Sequence, residues 1–293
     1  MFHPFAPNSV DGARVVRHRD RMRRDAASGS RGTALRWKGA AIGVPGLALA
    51  GLWAQVRHTA HQPLPHFEDL DAGGTYGDPA GTPLRVVVLG DSSMTGPGLD
   101  DGTHIWVAQA AAAMPWSVEL VSHARGGSRV RDVLEQQVPA ALEQDPDLVV
   151  VSVGANDAIH ATPLRSFARA LHEVFDRLGD VAPVVSLGIG DLSVIPRLPR
   201  TLRPVVARRS VAVDRAHTLV AADRDQVIRV PVAKLSDQHF RRVGAELFAA
   251  DLFHPNRDGH SLWAELFGPY LERALLGPSA SLIALRDDTG VRS

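Results

Sequence analysis

Residues 84–96 read LRVVVLGDSSMTG, a short β-branched run that enters a polar turn flanked by glycines. The run is a predicted strand, and the turn places the hydroxyl of Ser92 at its carboxyl end, where α/β enzymes keep a nucleophile. Gly-Asp-Ser is also typical of an ordinary turn or helix N-cap, so this stretch alone leaves both interpretations open. One of two adjacent serines must face away, and we expect Ser93 to be a cap or packing residue.

Outward from this strand, short β-branched runs alternate with longer amphipathic segments. The predicted strands cover residues 84–89, 118–121, 148–153, 184–189 and 227–232, and the predicted helices cover residues 104–114, 130–143, 163–179, 205–222 and 258–275. Regular alternation of this kind predicts an α/β fold with a central parallel sheet that helices cover on both faces. Such sheets bind ligands at the carboxyl ends of their strands.

The composition narrows the classes of function. The chain has 293 residues, 45% hydrophobic and 22% charged, which is typical of one large globular domain with an appendage. Its 32 basic and 32 acidic residues give no reason to expect nucleic acid as a partner. The absence of cysteine excludes disulfides, thiolate metal sites and a thiol nucleophile.

The N-terminal part differs from the rest of the chain. Residues 1–38 form a basic arm with nine cations against three acids, and residues 39–56 carry no charge. As a helix, this apolar segment would measure about 27 Å, so we predict a transmembrane or membrane-associated helix. The positive-inside rule then places the main domain outside the cytoplasm. Four glycines and Pro45 leave a surface helix of a soluble cytoplasmic protein open, and a cleaved secretory signal ranks last.

The remaining boundaries follow from composition. We assign residues 57–80 to a linker, 81–276 to the main domain and 277–293 to a loose C-terminal tail. His58, His61 and His66 lie in the linker with loose spacing, which a solvated segment explains without a metal. We therefore predict no metal and no cofactor.

Three further polar motifs fall at the predicted sheet edge or close to it. Asn156 follows the strand at 148–153 and offers an amide that can donate to an oxyanion without titrating. Gly126 and Gly127 let the backbone approach a substrate. Asp251 and His254 stand three residues apart before a helix, a spacing that can bring a carboxylate against the imidazole. Each motif alone has an ordinary structural explanation, so their conjunction carries the argument.

This constellation resembles the four sequence blocks of the SGNH (GDSL) hydrolase superfamily, and most closely its esterase-like members. The blocks are Gly90-Asp91-Ser92, Gly127, Gly154-Ala155-Asn156-Asp157 and Asp251-Leu252-Phe253-His254. The resemblance covers residues 84–275 or so. It implies a flavodoxin-like three-layer α/β/α sandwich, here preceded by the N-terminal apolar helix.

The resemblance also implies roles for individual residues. Ser92 would be the nucleophile, with His254 and Asp251 completing the catalytic triad. The oxyanion hole would consist of the Ser92 and Gly127 N–H groups and the Asn156 side chain. The second block, His123-Ala124-Arg125-Gly126-Gly127, has no asparagine before its glycines, unlike many relatives, so Gly126 is a rival donor. Gly127 is preferred because a helix is then predicted to begin where the family has one.

The implied activity is that of a serine esterase acting on small-molecule carboxylic esters with short to medium acyl chains, through an acyl-enzyme. The apolar and basic loop at residues 191–200 would overhang the site as an acyl pocket or lid, or simply cover the sheet. Two alternatives use the same residues, namely an acyltransferase and a carbohydrate deacetylase acting on cell-envelope components. A membrane-tethered binding module without activity is a third alternative.

Overall fold

The computed structural model describes residues 65–287 and, apart from them, Gly51. The predicted basic arm (1–38), the rest of the predicted apolar helix (39–56), the first linker residues (57–64) and residues 288–293 lie outside the described part. His58 and His61 also lie outside it. Within residues 65–287, no helix is both long enough and apolar enough to cross a bilayer.

Six strands form one mixed sheet. They are β1 (Gly74–Gly77), β2 (Pro83–Gly90), β3 (Ser117–Ser122), β4 (Leu148–Ser152), β5 (Val184–Leu187) and β6 (Val227–Val230), in the spatial order β1-β3-β2-β4-β5-β6. Strands β2 to β6 are parallel, and β1 pairs antiparallel with β3. All five predicted strands are present. The sheet is not purely parallel, because an unpredicted edge strand is added to it.

Helices follow most of the strands. They are α1 (Trp106–Ala112), α2 (Val130–Asp132), α3 (Val138–Leu142), α4 (Ala155–Ile159), α5 (Leu164–Gly179), α6 (Arg203–Ala221), α7 (Val232–Val243) and α8 (Arg257–Asp287). A π-helical turn, Val133–Gln137, joins α2 to α3, and 3-10 turns occupy Gly102–His104, Leu192–Val194 and Gly244–Leu247. The short α4 and the longer α7 were not predicted. The predicted loose tail is helical as far as Asp287, beyond a kink at Gly277.

The alternation of side chains along β2 explains the layered packing. Val87 and Leu89 point into a core shared with α5 and α6, whereas Val86 and Val88 point into a core shared with α1 and α8. All four side chains are essentially inaccessible to solvent. Because both faces of the central strands are buried, their sequences consist of continuous valine and leucine runs rather than alternating polar and apolar residues.

The segment before β2 belongs to the folded domain, which corrects the predicted boundary at residue 81. It contains β1, and the N–H of Leu70 donates to the carbonyl oxygen of Thr95 at 2.8 Å. Ala72 is completely buried. The sequence predicts a linker here because its glycines, prolines and acidic residues show no periodic apolar pattern. Its order comes instead from contacts with distant residues.

Candidate active site

The turn after β2 presents Ser92 at the carboxyl edge of the sheet. The strand ends at Gly90, and the N–H of Asp91 still donates to the carbonyl of Ser152 in β4, at 3.2 Å. The Ser92 carbonyl then accepts hydrogen bonds from the N–H groups of Thr95 and Gly96, at 3.3 and 3.2 Å. The chain therefore coils tightly around position 92. Within residues 65–287 the Ser92 hydroxyl makes no hydrogen bond, and its side chain is partly exposed.

Ser93 has the structural position expected of it. Its hydroxyl lies 2.7 Å from the hydroxyl of Ser152, and its N–H donates to the Asp91 carboxylate at 3.0 Å. Both polar groups of Ser93 are thus engaged with the strand ends. The adjacent Ser92 is the serine whose hydroxyl is available for chemistry.

Asp251 and His254 are in direct contact. Nδ1 of His254 lies 2.6 Å from one oxygen of the buried Asp251 carboxyl group. The other oxygen accepts the N–H groups of Phe253 and His254, at 2.9 and 3.1 Å. Leu252 has a positive φ of 56°, which closes the turn between them. The carboxyl group therefore fixes the imidazole and leaves Nε2 free to accept a proton.

The turn at Asp91–Ser93 and the segment after His254 border the same cavity, which Asp91, Ser93 and Pro255 line. Burial raises the pKa of Asp91 to about 6, while hydrogen bonds from Ser93 and the positive charge of His254 oppose this rise. Pro255 directly follows His254, so the shared cavity brings the two motifs to one part of the fold. Two motifs more than 150 residues apart in sequence thus meet at one edge of the sheet.

The two other predicted oxyanion donors adjoin Ser128. One N–H of the Asn156 amide donates to the Ser128 carbonyl at 3.1 Å, which leaves the second N–H for another acceptor. Gly127 precedes Ser128 in a turn closed by a 3.2 Å hydrogen bond from the Ser128 N–H to the Arg125 carbonyl. Gly127 has a φ of 77° and is exposed, and its N–H makes no hydrogen bond within residues 65–287.

The rival donor, Gly126, is differently placed. Its N–H donates to a carboxylate oxygen of Asp69 at 2.8 Å. A backbone N–H already paired with a carboxylate is not available to a substrate oxygen. The geometry therefore favours Gly127 over Gly126, for a reason that the sequence did not contain.

Comparison with known proteins identifies the family. Residues 88–262, more than half of the chain, match the GDSL-like lipase/acylhydrolase family. The chain belongs to this family. The resemblance inferred from the four blocks is thereby confirmed.

Individual relatives agree with this assignment. A GDSL-like esterase of Mycobacterium tuberculosis is 28% identical over 198 residues, which cover 66% of this chain and 63% of that protein. An acetylxylan esterase from Geobacillus stearothermophilus has a similar structure, with a TM-score of 0.54, 16% identity and coverage of 67% of this chain and 97% of that chain. A GDSL-family lipolytic protein from Veillonella parvula gives a TM-score of 0.55, 14% identity and coverage of 64% and 98%. These likenesses support the SGNH fold.

Sequence reasoning missed Gln137, which connects the turn that bears Ser92 to the turn that bears Gly127 in this GDSL-family chain. Its side chain is buried in the π-helical turn and takes both backbone groups of Gly90, accepting the N–H at 2.7 Å and donating to the carbonyl at 3.0 Å. It also donates to the Ser128 hydroxyl at 3.0 Å. A glutamine within a predicted helix gave no signal of this role.

An apolar cavity of about 730 Å³, measured out to its open mouth, adjoins the Asp91–Ser93 turn. The loop predicted as an acyl pocket or lid forms part of its wall through Leu192, Val194 and Ile195. Phe240 and Trp263, from α7 and α8, also line it and pack in one apolar cluster with these loop residues. The loop therefore lines a pocket that Asp91 and Ser93, the neighbours of Ser92 in sequence, also line, rather than merely covering the sheet.

The raised pKa of Asp91 predicts a pH-dependent stability. Its pKa is about 6 in the folded protein and ordinarily 3.8, so the folded state binds more protons between these values and stability falls as pH rises through them. Asp91→Asn removes the buried charge and should raise the Tm near pH 7.5, by about 2–4 °C per kcal/mol recovered. Near pH 4, where Asp91 is largely protonated, the gain should disappear.

Thermal unfolding followed by circular dichroism at both pH values measures this effect. Asp180→Asn, at an exposed carboxyl group, is the matched control and should change the Tm little at either pH. An equal Tm shift for Asp91→Asn at both pH values would contradict a raised pKa of Asp91 in the folded protein.

Proposed function

We propose that this GDSL-family chain is a serine esterase that cleaves carboxylic esters of short to medium acyl chain length, with Ser92, His254 and Asp251 as its catalytic triad. The observation that carries the proposal is the 2.6 Å contact between His254 and the buried Asp251, which lies at the sheet edge where the Ser92 hydroxyl makes no hydrogen bond among residues 65–287. A buried carboxyl group that orients an imidazole supports the proposal, because nucleophilic catalysis needs an oriented base to take the proton of the serine hydroxyl.

In the proposed mechanism, Nε2 of His254 accepts the Ser92 proton while Oγ attacks the carbonyl carbon of the ester. The tetrahedral intermediate then expels the alkoxide, which leaves as an alcohol after taking the proton from His254. Water, deprotonated by the same imidazole, attacks the acyl-enzyme and releases the acid and the free serine. Asp251 stays in contact with Nδ1 throughout and stabilises the imidazolium.

The oxyanion would be bound by three donors. The Ser92 N–H is provided by the nucleophile turn, the Gly127 N–H by the exposed turn, and the second amide N–H by Asn156. Donors of this kind contribute most when they are fixed before the reaction, because no reorganisation is then needed as charge develops. The hydrogen bond from Asn156 to Ser128 supports such fixation, since it ties the side chain to the turn that bears Gly127.

Modification by a fluorophosphonate tests the nucleophile. The wild-type protein should incorporate one phosphonyl group, and Ser92→Ala should incorporate none and lose ester hydrolysis by several orders of magnitude. Ser93→Ala is the matched control, because its hydroxyl is already paired with Ser152, and it should still be labelled. Intact-protein mass spectrometry measures the outcome. Equal labelling of the wild type and Ser92→Ala would refute Ser92 as the nucleophile, and labelling of neither protein would favour the alternative of a binding module.

The apolar cavity supports an acyl specificity. Its walls carry mainly aliphatic and aromatic side chains, which stabilise an acyl chain through the burial of apolar surface, worth about 0.8 kcal/mol per methylene group. The three carboxyl groups that line it, Asp91, Asp191 and Asp237, all accept backbone hydrogen bonds. Medium-length acyl esters therefore suit the pocket better than an acetyl group on a sugar.

Narrowing the cavity should shorten the preferred acyl chain. Val194→Phe replaces a small aliphatic side chain of the wall with a phenyl ring. It should lower kcat/KM for an octanoate ester about tenfold or more and leave acetate hydrolysis nearly unchanged. Val205→Phe, on the exposed surface of α6, is the control with the same chemical change. p-Nitrophenyl esters of increasing length, measured beside an acetylated xylo-oligosaccharide, give the profile. A uniform loss over all lengths would argue against the cavity as acyl site, and preferential cleavage of the sugar acetate would favour a deacetylase.

The predicted membrane association of residues 39–56 is a separate proposal. The absence of charge from this segment and the basic arm before it support a membrane-attached enzyme whose catalytic domain lies outside the cytoplasm. The full chain should then sediment with membranes and resist extraction by carbonate. A variant with Leu47→Arg and Leu49→Arg should be released, because each charge in a membrane helix costs about 2.5–3.5 kcal/mol. Wild-type protein found wholly in the soluble fraction would reject the anchor.

A further inference from the structure

The stretch before β1 crosses the edge of the active site and touches both of its loops. The carboxylate of Asp69 accepts a hydrogen bond from the Thr95 hydroxyl at 2.7 Å with one oxygen, and from the Gly126 N–H at 2.8 Å with the other. The next residue, Leu70, donates its N–H to the Thr95 carbonyl at 2.8 Å. A single side chain thus bridges the nucleophile turn and the turn that bears the oxyanion donor.

Both partners of Asp69 are placed for this contact. Thr95 is 1% exposed, so its hydroxyl needs an acceptor within the protein, and its own N–H donates to the Ser92 carbonyl. A Cβ atom at position 126 would lie 2.5 Å from the nearer Asp69 oxygen, so the bridge requires glycine there. Gly126 therefore serves the contact with Asp69, and not a positive φ or a substrate.

We propose that Asp69 is a positioning residue for the oxyanion hole, which fixes the Gly127 N–H relative to Ser92. From the buried side, Gln137 and Asn156 bind Ser128, the residue after Gly127. From the outer side, Asp69 binds Gly126, the residue before it. The turn is thus held on both flanks of the donor. Asp69 lies outside residues 88–262, which match the family, so the family motifs contain no trace of it.

The inference rests on the proposed esterase function and predicts a distinctive pattern of kinetics. Without the bridge the Gly127 N–H is still present, but its orientation toward the oxyanion is no longer fixed. Asp69→Ala should therefore lower kcat about 10- to 100-fold and change KM by less than twofold. This loss is smaller than the 100- to 1000-fold typical of deleting an oxyanion donor. Binding of an alkyl boronic acid, whose tetrahedral adduct places an oxygen in the hole, should weaken by a similar factor.

Asp69→Asn separates positioning from charge. Its amide oxygen can still accept the Gly126 N–H, and its amide N–H can donate to the Thr95 oxygen, so this variant should keep kcat within about threefold of the wild type. Gly126→Ala keeps the N–H but displaces the carboxylate, so it should lower kcat as Asp69→Ala does. The double variant should be no worse than either single variant, because both remove the same contact. Glu68→Ala removes a neighbouring exposed charge and is the matched control.

The experiment measures kcat and KM for a p-nitrophenyl ester and boronic-acid affinity in these variants, with Ser92→Ala alongside. Wild-type kcat in Asp69→Ala, a change confined to KM, or equal losses in the alanine and asparagine variants would overturn the inference. If Asp69→Ala does not fold, the kcat, KM and boronic-acid affinity of Asp69→Asn and Gly126→Ala, each relative to the wild type, test the role of Asp69 instead. Full activity in Ser92→Ala would instead refute the esterase mechanism itself, whereas an inactive Ser92→Ala beside a normal Asp69→Ala refutes only the role of Asp69.

Discussion

The backbone of Gly90 is held from two directions at the point where β2 leaves the sheet. On one side it lies so close to the Ser152 carbonyl that a Cβ atom would come within 2.3 Å of the oxygen. On the other side, the Gln137 amide binds its N–H and its carbonyl at 2.7 and 3.0 Å. Ser92 follows two residues later, so its position is set by the backbone before it. The same amide reaches the Ser128 hydroxyl, which couples the oxyanion loop to the nucleophile turn.

Two buried carboxyl groups at the site differ in the number of hydrogen bonds that they accept. Asp251 accepts two backbone N–H groups and contacts the His254 ring, whereas Asp91 accepts the Ser93 N–H and is otherwise surrounded by protein. Hydrogen bonds to a buried carboxylate compensate the loss of hydration, and where they are few the neutral form is favoured. The first environment suits the partner of an imidazolium. The second explains why the pKa of Asp91 rises to about 6.

How far the sequence predicted the molecule depends on whether a feature is local. The valine-rich strands and the polar residues after them were predicted, because burial on both faces and tight turns leave local patterns. The edge strand Gly74–Gly77 has two glycines in four residues and no pattern, so it was assigned to a linker. Helix α7 follows β6 after a single proline, and its first residue was counted as the end of the strand. The partners of Gln137 and Asp69 are distant in sequence, and no local pattern records them.

Different elements support the turns that would perform the chemistry and the cavity wall that would select the acyl chain. The turns that bear Ser92 and Gly127 depend on β2, β4 and the π-helical turn. The cavity wall at residues 191–195 depends on α7, because Asp237 accepts the Asp191 N–H at 3.0 Å and Arg241 pairs with the Asp191 carboxylate at 2.6 Å. Asp191 in turn caps the turn that carries Val194, by accepting the Ser193 N–H. Changes in α7 can therefore reshape the cavity without moving Ser92, since no hydrogen bond among the described residues joins α7 to the turn at Asp91–Ser93.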